Sequence, residues 1–157
     1  MPDQHQLLIA ELEKLLNGGT AHVGLKEALD GLLPNLRGEK PAPLPYSIWQ
    51  LVEHIRIAQG DMLEFCRDAD HQSPKWPDDY WPKETAPASE DVWNKSTRQI
   101  NADLEAFIQL LREADLYKPL PHGNGQTILL EALQLADHNA YHTAEIIVIR
   151  RLLGAWK

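Results

Sequence analysis

The sequence predicts an all-α fold, a four-helix bundle with an extra N-terminal helical segment and two long loops. Three observations carry this. Apolar residues recur every three to four positions over several long stretches. Two stretches rich in proline and glycine interrupt that rhythm. No segment alternates apolar and polar residues as a half-buried strand would. The 157 residues fit one domain spanning 1–157, large enough to bury a core without disulfides.

The first helical stretch runs from Asp3 to Asn17, with Leu7, Leu8, Leu12, Leu15 and Leu16 placed for one face. Asp3 and Gln6 have capping-box spacing, and Gly18-Gly19 ends the stretch. Thr20 is placed to cap a second segment carrying Val23, Leu25, Ala28, Leu29, Leu32 and Leu33. The prolines between Pro34 and Pro45 make a loop.

Ser47, with Gln50 in the reciprocal position, starts a helix that runs to about Arg67. Its apolar positions are Ile48, Leu51, Val52, Ile55, Ala58, Met62 and Phe65. Gly60 costs this helix ~1 kcal/mol relative to alanine, so a close helix approach is expected there. Asp68 to Ala88 breaks the pattern with prolines and three large aromatics, Trp76, Tyr80 and Trp81. A connection this long is often functional. The aromatics indicate that it packs down, either as a lid on the bundle or as a wall for a ligand.

Ser89 caps the next helix, with Glu90 and Asp91 favourably placed in its first turn. Trp93, Ser96, Ile100, Leu104, Phe107, Ile108 and Leu111 follow at helical spacing. A second loop spans Asp115 to Gln126, and the longest helix runs from Thr127 to about Leu153.

Composition narrows the function. A formal net charge of −8 opposes nucleic-acid phosphates and anionic lipid. Arg150 and Arg151 form only a small basic patch. No run approaches the ~20 apolar residues of a membrane span, and the N-terminus does not read as a signal peptide. The expectation is a cytoplasmic protein with neither nucleic acid nor membrane as partner. The single cysteine, Cys66, lies among Met62, Leu63 and Phe65 and reads as inert core.

The histidines carry the chemistry. In the last helix one stripe reads Ile128, Leu135, His142, Ile149, and its companion row reads Glu131, His138, Glu145, Leu152. His138 and His142 therefore share one face a turn apart, a spacing that lets two imidazoles reach one metal ion. His54 sits on the inner side of its own helix, between Leu51 and Ala58. A buried imidazole needs partners for both nitrogens, and convergence on a cation supplies one. The alternative is a metal-free polar layer in which the rings bond Asp61, Gln134 or Glu145. His5, His71 and His22 read as surface or loop residues, whereas His122, between Pro121 and Gly123, is left open as a further ligand.

The segments WQLVEHIRIAQGDMLEF and EALQLADHNAYHTAEIIVIRRLLGAW resemble the DinB-like metalloprotein superfamily, named after DNA-damage-inducible bacterial proteins. The loop PDDYWP and the segment PHGNGQT resemble one bacterial branch of it. The resemblance implies a four-helix bundle whose internal metal site faces an open cleft. It implies His54, His138 and His142 as ligands of a divalent ion, nickel or zinc. It also implies homodimers and, for some members, thiol-dependent transferase or isomerase activity with a low-molecular-weight thiol as partner. It fixes no substrate-binding residue.

Three neutral ligands leave positive charge and vacant positions on an ion, enough to acidify a bound water or hold a thiol as thiolate. A structural zinc site is usually closed by four protein ligands. A thiol-dependent transferase or a hydrolase is therefore expected, with Asp61 or Glu145 as base or as hydrogen-bond partner of a ligand. The competing reading is a non-catalytic module that holds metal, or a ligand against Trp76, Tyr80 and Trp81, in a stress response.

Overall fold

The computed structural model describes residues 3–156. They form helices α1 (Gln4–Leu16), α2 (Leu25–Leu29), α3 (Ile48–Arg67), α4 (Glu90–Glu113) and α5 (Ile128–Leu152). Among the described residues there is no strand, only an isolated bridge between Pro119 and Thr127. The four longer helices make the bundle, with α3 packed on both α4 and α5, and α1 closing the other side against α4 and α5. Among the described residues, no helix is long and apolar enough to cross a membrane.

Local chemistry sets the helix starts. Ser47 and Gln50 form a full capping box at α3, with Ser47 Oγ accepting from Gln50 N and Gln50 Oε1 accepting from Ser47 N. Ser89 and Thr127 cap α4 and α5 through their hydroxyls. At α1 the expected capping box is absent, because Asp3 is the N-cap residue but its side chain makes no capping bond. The α1 stripe is also narrower than its leucines suggest. Leu12 and Leu16 are buried, while Leu7 and Leu15 face outward.

The second segment departs most from its pattern. Gly24, not Thr20, is the N-cap, and α2 spans five residues. Gly31 follows with φ of +65°, a conformation that suits glycine and stops the helix. Arg150, buried in α5, then donates from Nη1 to the carbonyls of Ala28 and Asp30. The Arg150–Arg151 pair is thus no surface basic patch, since one member holds the end of α2.

Gly60 does not mark a close approach. A Cβ there would meet only Asp103 Oδ2 at 3.6 Å, an ordinary contact with a flexible side chain. Cys66 is buried and its thiol is pushed up to about 12 by burial, with the Glu131 carboxylate adding to the shift, so it stays an inert thiol.

The apolar core comes in two parts. One holds Leu12, Leu63, Phe107, Leu111 and Leu135, and the other holds Ile48, Ile55, Trp93, Ile100 and Ile146. Between them along α3 and α5 lie Gln59, His138, Asn139, His142 and Thr143. A polar layer therefore interrupts the core, and each of its members needs a partner.

Candidate metal centre

Helix α3 contributes His54 to this layer and α5 contributes His138 and His142. One ring nitrogen of each lies within 4.8 Å of the corresponding nitrogens of the other two. The stripe Ile128, Leu135, His142, Ile149 is buried throughout, as its periodicity predicts. Its companion row is buried at Glu131 but exposed at Leu152.

The hydrogen bonds of the three rings have one pattern. His54 Nδ1 lies 2.9 Å from the Tyr80 carbonyl, an acceptor only, so this nitrogen carries the proton. His142 Nδ1 donates to Glu145 Oε2 at 2.7 Å. His138 Nδ1 lies 3.2 Å from Asn139 Oδ1. That amide is oriented in turn, since Asn139 Nδ2 donates to Gln59 Oε1 and Gln59 Nε2 donates to the Ile100 carbonyl. Each Nδ1 is thereby a donor and each Nε2 a bare acceptor.

The Nε2 atoms of His54 and His138 stand 3.1 Å apart. In these tautomers two lone pairs face one another, an arrangement that a cation between them relieves. Burial pushes the His54 and His142 imidazoles down to about 4, with the neighbouring histidines adding to the shift and the Tyr80 carbonyl partly opposing it at His54. Burial lowers His138 as well. All three rings are neutral at pH 7, the state a metal ligand requires. The donor set fits a divalent ion.

The rings open onto a cavity of about 570 Å³ whose walls include Asp61, Met62, Tyr80, Trp81, Tyr141 and Glu145. The long loop supplies one side. Trp81 lies flat on His54, with ring centroids 3.9 Å apart and planes 3° from parallel. Tyr46 stacks on the other face of this indole at 4.2 Å. Tyr80 is fixed at both ends. Its carbonyl accepts from His54, and its hydroxyl donates to Asp61 Oδ2 at 2.5 Å. His71 Nε2 bonds the other Asp61 oxygen at 2.7 Å.

These contacts sort the candidates. A family model described as DinB superfamily matches residues 20–146. The chain belongs to the DinB superfamily. No curated protein and no solved structure matches it. The matched span contains all three histidines of the cluster, together with α2, α3 and α4.

Within this DinB-superfamily chain Glu145 is a hydrogen-bond partner of His142, whereas the Asp61 oxygens bond His71 and Tyr80 of the loop. Gln134 is exposed and takes no part. His122 does not join the cluster either. Its Nε2 donates to the Phe65 carbonyl at 2.6 Å, and the ring packs edge-on against Phe65. His71, read from sequence as a plain loop residue, proves to be one of two anchors on Asp61. Gln59 and Asn139 were missed. Gln59 had a visible signal, because it is an amide on the otherwise apolar stripe Val52, Ile55, Gln59, Leu63. The Tyr80 carbonyl and the Trp81 stack had none, since loop contacts carry no periodicity.

Proposed function

We propose that the protein is a metal-dependent enzyme acting on a small molecule, either a thiol-dependent transferase or a hydrolase, with His54, His138 and His142 holding one nickel or zinc ion. One observation carries this reading. Three neutral imidazoles, each with Nδ1 beside an oxygen acceptor, bring one ring nitrogen apiece within 4.8 Å of one another on the wall of a 570 Å³ cleft. A divalent ion there supplies Lewis acidity toward a thiol or a water.

The chain's own groups do the rest. Glu145 holds the His142 ring through Oε2, and the residue lines the cleft. Burial raises this carboxyl above its ordinary value, which makes its carboxylate the more basic. Trp81 and Tyr80 cover His54 and keep water from its face. Asp61, with both oxygens engaged, positions Tyr80 and is not the free base. The same geometry without turnover would describe a metal-holding module.

Elemental analysis of the purified protein beside His54→Ala and His142→Ala tests the site. The wild type carries stoichiometric metal and both variants lose it. If both variants keep stoichiometric metal, the ligand assignment is wrong. Assays with a panel of low-molecular-weight thiols and ester or amide substrates then separate enzyme from module. Turnover that disappears on chelation and returns with one added metal supports the enzyme, and saturable metal binding without turnover supports the module.

A further inference from the structure

A second cavity of about 340 Å³ adjoins the metal cleft. The two share Tyr46, Tyr141 and Glu145 as walls. Away from the histidines the second cavity is lined by Leu44, Pro45, Leu51, Ala144, Val148 and Ile149. Leu51 and Ile149 form a fully dry floor, and Val148 stands at the rim, 44% exposed. Beyond Glu145, at the junction with the cleft, no charged side chain enters this groove. It follows α5 from Tyr141 to Val148, seven residues or about 10 Å of helix rise.

We propose that this groove takes an apolar arm of the substrate, so that the molecule handled at the centre is amphipathic: a small metal-binding head joined to an aliphatic or aryl chain about 10 Å long. The inference deepens the proposed function and rests on its metal site. The shared walls carry it. A head held at the centre lies next to the shared walls Tyr46 and Tyr141, past which an attached chain reaches Leu44, Ala144 and Val148. A purely polar substrate would leave the apolar rim at half-buried Leu44 and exposed Ala144 and Val148 wet, at a cost in hydrophobic free energy.

Unbranched alkyl hydroxamates test it, because they keep one metal-binding head and vary only the chain. Protein loaded with zinc, its metal content measured first, is titrated calorimetrically with acetohydroxamate, butanohydroxamate and octanohydroxamate. Affinity rises about threefold to fourfold for each buried methylene. Val148→Asn, a rim substitution outside the metal cluster, leaves acetohydroxamate binding and zinc stoichiometry unchanged and removes most of the gain for octanohydroxamate. Equal affinity for short and long chains on fully loaded protein overturns the arm and leaves the metal site standing. A chain-length gain undiminished in Val148→Asn places the chain elsewhere and also overturns it. Protein that takes up no zinc overturns the function reading itself, and the arm with it. If sedimentation shows a wild-type dimer that Val148→Asn dissociates, a second copy covers the groove and the arm is wrong.

Discussion

Asn139 Nδ2 donates to Gln59 Oε1 over 2.9 Å, joining α5 to α3 immediately beside the histidine cluster. This bond fixes which way the Asn139 amide points, and so gives His138 Nδ1 an oxygen to face. Gln59 is fully buried. Its other contact, to the Ile100 carbonyl, extends the chain of bonds to α4.

Gln59→Leu breaks that chain while keeping the volume. Partners that orient metal-binding histidines are typically worth about 10–100-fold in metal affinity. The Asn139 amide and the Ile100 carbonyl also lose their partner, costing about 1–3 kcal/mol each at most. Competitive chelator titration is expected to show the affinity loss with stoichiometry intact. Unchanged affinity would show that His138 needs no orientation from this amide pair.

The metal-free protein has a defined acid sensitivity. His54 and His142 titrate near 4 when folded, against 6.5 for an unperturbed imidazole. Between those values the unfolded chain binds more protons than the folded one, so stability falls as pH drops from about 6.5 toward about 4. Above about 6.5 these rings contribute no pH dependence. Thermal melts of metal-free protein are expected to show a falling midpoint across that window, with a shallower fall in His142→Gln. A flat midpoint through the window would mean that the rings are not buried as neutral groups.

Trp81 reports on the site because its indole lies parallel to the His54 ring. Addition of Ni²⁺ is expected to quench tryptophan fluorescence. Trp81→Phe should abolish most of the quench while Ni²⁺ stoichiometry, measured independently, stays at the wild-type value. Retention of the full quench in Trp81→Phe would place the ion away from this stack.

Gly60→Ala should stabilise the protein. The new methyl meets only Asp103 Oδ2 at 3.6 Å, and alanine gains helix propensity. An increase of about 0.5–1 kcal/mol in denaturant unfolding is expected. A loss of stability would show that α3 and α4 approach more closely at Gly60 than this contact allows.

By itself the sequence marked the three longest helices and the three histidines that the fold brings together. Helical periodicity and capping are local, so Ser47–Gln50, Ser89 and Thr127 mark the starts of α3, α4 and α5 without reference to the rest of the chain. His54, His138 and His142 were legible for a related reason: polar residues on an apolar stripe are conspicuous, and two of them stand one turn apart. Only tertiary structure decided what surrounds them. It shortened α2, because a buried Arg150 holds its end and Gly31 turns the chain away. It tied Asp61 to Tyr80 and His71, gave Glu145 to His142, and kept His122 at the Phe65 carbonyl. It also laid Trp81 on His54 and opened the apolar groove beside the cleft. These contacts join residues far apart in the chain, through loops whose conformation follows no repeat. Their partners are set by packing between elements, which no local pattern records.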